Sequence, residues 1–402
     1  MKDILIKEYN NIVPLKKAYK QPSNTINFNF IDGPFVEILG PNPQEYIVRF
    51  KDLKKNKVVH EAEIANNMWT RANLKYCIDW YIEILEKHTN QVIFTHQFDP
   101  KGKRVYIHLD SASIGDTLAW FPYVEEFRKK WDCKVVTSTF HNEWFESKYP
   151  HLEFVTPGSE VSDIYAMYSI GWFYNDKTVD KDRIPIDFKR YSLQQTASEI
   201  LNLNYIEVKP LIKYPNTPSL IQEDYVVIAP HASSHAKYWN HPGGWQTIID
   251  YLNNKGYKVV ILTQESATDD WHNSKLGGPL HNIIDKTGDF PLQSRMVDIK
   301  HAKAFIGVGS GLSWVSWALN TPTIMISGFS YPYTEFQDCE RIFPKNPKIC
   351  TGCFNRHWLN PGDWEWCPEH KDTPRQFECT KSITPDMVIK SLQKCLTFIA
   401  CK

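Results

Sequence analysis

Four cysteines stand near the end of the chain as Cys350-x2-Cys353-x13-Cys367-x11-Cys379. A Cys-x2-Cys pair lets two thiolates reach one ion from a tight knuckle, and Cys367 with Cys379 completes a tetrahedral S4 set that suits zinc or iron. No open ligand position is implied, so the metal reads as structural. It would organise the Pro- and Trp-rich stretch from Arg356 to Glu378, which has no strong helical or strand period of its own. The other five cysteines, Cys77, Cys133, Cys339, Cys395 and Cys401, are scattered and read as packing thiols.

Three strand-end loops carry further chemistry. Ser111-Ala112-Ser113-Ile114-Gly115-Asp116-Thr117-Leu118 follows an apolar strand and opens a helix, where backbone amides and the positive dipole end face outward. Asp116 is placed to take a proton from a hydroxyl one hydrogen bond away; the competing reading makes it a helix-start cap. In His231-Ala232-Ser233-Ser234-His235-Ala236-Lys237-Tyr238-Trp239-Asn240, two hydroxyls and an ammonium suit a diphosphate. The alternative is a surface lysine over packed Tyr238 and Trp239. His231 and His235 are four apart, but without a helical pattern or a nearby Glu they do not make a zinc-hydrolase motif. Gly309-Ser310-Gly311-Leu312-Ser313-Trp314 lies between a strand and a helix, and its small residues let an anion approach free amides. Ser327-Gly328-Phe329-Ser330 adds a second wall; both stretches also read as ordinary tight turns.

These loops need strands and helices to aim them. Residues 27–86 read as short alternating strands, Ile26–Phe30, Phe35–Leu39, Tyr46–Phe50 and Tyr81–Leu85, with turns at Asp32-Gly33 and Pro41-Asn42-Pro43, as in a small antiparallel barrel or sandwich. From Lys101 the texture becomes strand, loop, helix: Val105–Leu109, a helix toward Trp131 that Pro122 must kink or delay, then Lys134–Thr137. A proline-rich linker near Lys213–Pro218 precedes a restart. The restart comprises Tyr225–Ile228, a helix from Gly244 to Leu252, Lys258–Leu262, Ala304–Val308, a helix from Leu312 to Leu319, and Thr323–Ile326. Two α/β halves of this kind form a ligand cleft. The expected domains are 1–100, a β-barrel; 101–217, a first Rossmann-like domain; and 218–402, a second Rossmann-like domain that includes the knuckle at 350–379.

With 402 residues, the chain is long enough for two or three domains. Its 46 basic and 46 acidic side chains cancel, which argues against nucleic acid as a partner. No apolar run is long enough to span a bilayer, and Met1-Lys2-Asp3-Ile4 does not open a signal peptide, so a cytoplasmic location without membrane insertion is expected. Nine cysteines in that reducing compartment favour metal binding over disulfides.

Together these motifs resemble the bacterial autotransporter heptosyltransferases, a branch of the heptosyltransferase-like GT-B enzymes. The resemblance spans about Val105 to Thr384. It rests on Ile114-Gly115-Asp116-Thr117-Leu118-x-Trp120-Phe121-Pro122-Tyr123, Ala236–Asn240, Ser310–Trp314, Ile326–Ser330 and Trp366-Cys367-Pro368-x-His370-Lys371-x-Thr373-x-Arg375-Gln376-Phe377-Glu378-Cys379-Thr380. It implies an α/β chain with a GT-B fold of two Rossmann-like domains, an N-terminal β-barrel and a four-Cys knuckle. The implied activity is inverting transfer of heptose from ADP-heptose to serines of an autotransporter adhesin. Asp116 would be the base, and Lys237, Ser310, Gly311, Leu312, Ser313 and Trp314 the donor cradle. Cys350, Cys353, Cys367 and Cys379 would hold a structural iron ion, with zinc the alternative, and the chain would form a large homo-oligomer, a dodecamer being the candidate size. Lipopolysaccharide heptosyltransferases have Asp-Thr-Gly-Leu-Ser-His at the donor turn; here Gly309, Ser310 and Trp314 take the Asp, Thr and His positions. That departure favours the autotransporter branch. The rival readings are a lipopolysaccharide-type or other nucleotide-sugar glycosyltransferase and a non-catalytic GT-B-like scaffold. An iron–sulfur electron carrier would leave most of the chain unexplained.

Overall fold

A computed structural model describes residues 24–264, 270–358 and 365–400. The opening residues through 23 and Cys401 lie outside them. The chain divides into two compact units whose segments interleave. Residues through 112, with 120–187 and 195–206, make up the first; 113–119, 188–194 and 207 onward make up the second.

The first unit opens with seven strands: β1 (Thr25–Asn29), β2 (Phe35–Leu39), β3 (Glu45–Asp52), β4 (Lys57–Ala65), β5 (Met68–Arg71), β6 (Trp80–Glu86) and β7 (Val92–Gln97). Along β3 the period of two is plain: Tyr46, Val48 and Phe50 are buried, while Arg49 and Lys51 on the other face pair with Glu61 and Glu83. Hydrogen bonding divides the strands between two antiparallel sheets, β1-β2-β5 and β4-β3-β6-β7. Among the described residues, then, the backbone ladder does not close into one ring.

Next come four parallel strands, β8 (Arg104–Leu109), β9 (Lys134–Ser138), β10 (Glu153–Phe154) and β11 (Ala166–Ile170), in the order β10-β9-β8-β11. Between β8 and β9 lie two helices, Ile114–Trp120 and Pro122–Trp131. Proline has no N–H to donate and so takes the first position of the second helix, where none is needed. A two-stranded ribbon, β12 (Tyr174–Asn175) with β13 (Thr178–Val179), follows.

The second unit is built on six parallel strands: β14 (Tyr225–Ala229), β15 (Lys258–Thr263), β16 (Ile284–Thr287), β17 (Ala304–Val308), β18 (Thr323–Ile326) and β19 (Glu340–Ile342). Their order is β16-β15-β14-β17-β18-β19. β14 and β17 are buried at every position, as strands covered on both faces must be. The Gly244–Asn254 helix turns Trp245, Ile248, Ile249 and Leu252 into the same core that receives Val388 and Leu392 of the Pro385–Ala400 helix. Chain order reverses between β14 and β17. Loops leaving the carboxyl ends of two such strands diverge and open a crevice, the place where doubly wound sheets bind ligands. Here those loops are 230–243 and 309–310.

Among the described residues, no helix is long and apolar enough to cross a membrane.

Candidate active site and metal centre

The β17 loop leads into the Gly311–Ala318 helix through Ser310, whose extended backbone (φ −141°, ψ 170°) makes it the N-cap. A serine at that position ordinarily caps its own helix, but Ser310 makes no such bond. Its buried Oγ has no hydrogen-bond partner among the described residues. The Gly311 and Leu312 amides, first in the helix, have no carbonyl behind them to accept. A buried orphan hydroxyl beside two unspent amides, at the positive end of a helix, makes a cradle for an anion.

The other members of the expected cradle split by role. Ser313 is fully buried and donates to the Val308 carbonyl at 2.6 Å, closing strand onto helix. Trp314 packs edge-on against Trp317 and Phe336, with ring centres 5.7 and 4.9 Å away. Both side chains hold the turn in place and leave the backbone to meet a ligand.

Residues 114–119 of the Ile114–Trp120 helix lie against this turn, inside the same compact unit. A Cβ on Gly115 would come 3.2 Å from the Trp314 ring, and one on Gly311 would come 2.8 Å from Cβ of Ile114. Asp116 follows directly and is half-buried. Gly311→Ala therefore forces a backbone shift: we expect a loss of about 1–3 kcal/mol of stability, read as a lower Tm, together with weaker donor binding. An unchanged melting curve would show that the two segments are not packed this way.

Lys237 comes from the β14 loop, in a short 3-10 turn at His235–Lys237. Its ammonium donates to Ser233 Oγ at 3.2 Å. Burial pulls its pKa below the ordinary lysine value, and the carboxylates of Asp116 and then Glu335 offset part of that pull. A lysine that sits this way, close to two carboxylates and partly out of water, is ready to meet added negative charge. Asp116, Lys237 and the Ser310 turn are thus gathered on one unit. The influence of Glu335 was not foreseen; a glycine at 309 was the one sequence sign of something pressing on the turn.

The Lys237 loop rests on the cysteines. Ala236, Phe329, Cys353, Cys367 and Phe377 form one buried cluster. His235 packs at a tilt against Phe377 with ring centres 4.5 Å apart, and Asn240 Nδ2 donates to Thr380 Oγ1 at 3.1 Å. Trp239 donates to the Ile383 carbonyl at 2.8 Å. Cys379 is equally close to the wall at 327–330, since a Cβ on Gly328 would lie 3.1 Å from its own.

The four expected thiols are near enough to influence one another electrostatically. Burial, and then the neighbouring Cys350, Cys379 and Cys367, push the Cys353 thiol up to about 12. Burial is also the main cause that pushes Cys379 up to about 12, with Cys367 and Cys350 adding to it. Soft sulfur donors whose ionisation burial disfavours, as at Cys353 and Cys379, fit a cation that would supply the missing positive charge. Among the described residues, however, the set whose ligand atoms lie within 4.8 Å of one another is Cys350, His370 and Glu378, not the four sulfurs. Glu378 Oε1 accepts from the Cys350 amide at 2.7 Å, so the two residues flank that thiol.

Residues 173–336 match the family model of glycosyltransferase family 9 (heptosyltransferase). The chain is 32% identical over 375 residues to the autotransporter heptosyltransferase BAHTCr of Citrobacter rodentium, covering 91% of this chain and 88% of that one. It is also 32% identical to the autotransporter heptosyltransferase TibC of Escherichia coli O78:H11, covering 94% and 91%. The solved structure of TibC, a dodecameric iron-containing heptosyltransferase in complex with ADP-D-beta-D-heptose, superposes with a TM-score of 0.81 at 30% identity, over 96% of this chain and 99% of that one. An inactive autotransporter heptosyltransferase, BimC of Burkholderia thailandensis, is 28% identical over 94% of this chain and 87% of its own.

Proposed function

The chain belongs to the autotransporter heptosyltransferases, a glycosyltransferase family with a GT-B-like α/β fold, and from that membership we propose that it transfers heptose from ADP-heptose to serine hydroxyls of an autotransporter adhesin. One observation carries the reading: a carboxylate, an ammonium and an anion cradle with an unsatisfied hydroxyl sit together on a single unit, at the strand-order reversal of its sheet.

In the proposed step, Asp116 accepts the proton of the serine as its oxygen forms a bond to the anomeric carbon. The bond from that carbon to the diphosphate oxygen breaks on the opposite face, and ADP departs with the electron pair. Lys237, the Ser310 hydroxyl and the Gly311 and Leu312 amides meet the charge that develops there. Cys350, Cys353, Cys367 and Cys379 would hold an iron ion, which would supply a structural cross-link beneath the Lys237 loop and no part of the transfer itself. The reading extends to a large homo-oligomer, dodecameric as in TibC, acting in the cytoplasm before the adhesin is exported. It takes 1–100 as a barrel-like module, 101–217 as the acceptor-side domain and 218–402 as the donor domain with the knuckle.

The inactive relative makes activity the decisive measurement. Purified protein should melt at a higher temperature with ADP-heptose, by about 2.7 kcal/mol of added stability at a hundredfold excess over Kd. An autotransporter passenger co-expressed with it should carry heptose on serine peptides by mass spectrometry. Donor binding with unmodified peptides would leave a scaffold, and modification of a carbohydrate acceptor alone would favour the lipopolysaccharide-type reading.

A further inference from the structure

Glu335 lies behind the donor turn, and no step described so far uses it. The residue is 9% exposed. Its Oε2 pairs with Arg341 Nη1 at 3.0 Å, and its Oε1 accepts from Ser330 Oγ at 2.5 Å. Arg341 is fixed in turn by the Phe336 carbonyl at 2.7 Å. That same Oε1 lies 3.1 Å from where a Cβ on Gly309 would stand. The carboxylate therefore fills the space that any side chain at the first position of the turn would need, and its field reaches Lys237.

We propose that Glu335 is the donor-sugar specificity residue of this site: its carboxylate accepts hydrogen bonds from heptose hydroxyls next to the anion cradle. The argument is chemical. An ionised carboxylate can accept about four hydrogen bonds, and Ser330 and Arg341 account for two. A sugar bound through its diphosphate at Ser310 and Gly311 brings a row of hydroxyl donors beside Gly309, where this carboxylate is the acceptor at hand. The turn itself carries glycine at 309 and so offers no acidic side chain of its own. A carboxylate on the turn itself and one reaching over it from residue 335 compete for one volume, so the chain keeps one acidic group there and delivers it from a different element. The Arg341 partner holds it in place. This inference rests on the donor site proposed above.

The test compares ADP with ADP-heptose, by calorimetry and kinetics, for wild type, Glu335→Gln, Gly309→Asp and the double variant Gly309→Asp with Glu335→Ser. Glu335→Gln should weaken ADP-heptose at least tenfold, as KM rather than kcat, and leave ADP within about twofold, since only the sugar is recognised. Gly309→Asp alone should lose donor binding because two acidic groups crowd one space. The double variant, whose aspartate can pair with Arg341, should regain donor binding well beyond the product of the single effects; it also guards against a Glu335 variant that merely fails to fold. Equal loss of ADP and ADP-heptose in Glu335→Gln, or a double variant no better than the worse single one, would overturn the assignment. A wild type that binds neither ligand would instead overturn the donor site itself.

Discussion

Asp116→Asn should cut kcat for heptose transfer by about 10²–10⁴-fold, the usual contribution of a general base, with ADP-heptose still bound. The amide keeps the size of the side chain and its place on the Ile114–Trp120 helix but cannot take the serine proton. A second effect follows from its neighbour. The Asp116 carboxylate helps hold Lys237 protonated against the pull of burial. Without it the lysine pKa falls further, so the ammonium is lost at lower pH. Donor affinity in the variant should therefore fade earlier as pH rises, while the acid side stays as in wild type. Transfer at the wild-type rate would exclude Asp116 as the base. An unshifted alkaline limb would break the link between Asp116 and Lys237.

Replacing Cys353 by Ser, or stripping the ion with a chelator, should release one equivalent of metal and lower Tm sharply. Structural sites of this type contribute on the order of 10 kcal/mol to the folding of their segment. The effect should not stay local, because Ala236 and His235 sit on Cys353, Cys367 and Phe377. ADP-heptose affinity should fall together with the metal content, even at temperatures where the rest of the chain remains folded. With thiolates as the proposed ligands, metal loss should accelerate as pH drops and protons compete for sulfur. Metal-free protein that binds donor with undiminished affinity would separate the knuckle from the Lys237 loop.

Much of this was legible in the residues. Strands buried on both faces, such as Ala304–Val308 and Thr323–Ile326, stand out as uninterrupted apolar runs, and their observed limits coincide with the expected ones. Asp116, Lys237 and Ser310 could be singled out because strand-end loops of an α/β sheet have few other duties. In the N-terminal stretch Lys57–Ala65, Met68–Arg71 and Val92–Gln97 escaped notice because their side chains are largely exposed or half-exposed. β10 to β13, β16 and β19 were missed as well, all of them no longer than five residues and too short for a period to show. Ser313 and Trp314 illustrate a different limit. Their motif marks the turn, yet one is spent on the Val308 carbonyl and the other on aromatic packing, a division that only tertiary contacts reveal. Glu335 was invisible for the same reason: its approach to Gly309 joins residues 26 apart, and no local pattern announces it.

Residues 113–119 belong to the second unit although the chain makes them long before the rest of it. During synthesis the peptide bearing Asp116 leaves the ribosome first and must wait for Gly311 and Trp314, against which Ile114 and Gly115 come to rest. A fragment starting at residue 207 would carry a cradle without the Asp116 segment that packs against it. Supplying a short synthetic peptide of 111–120 in trans is thus a natural way to rebuild that half from pieces.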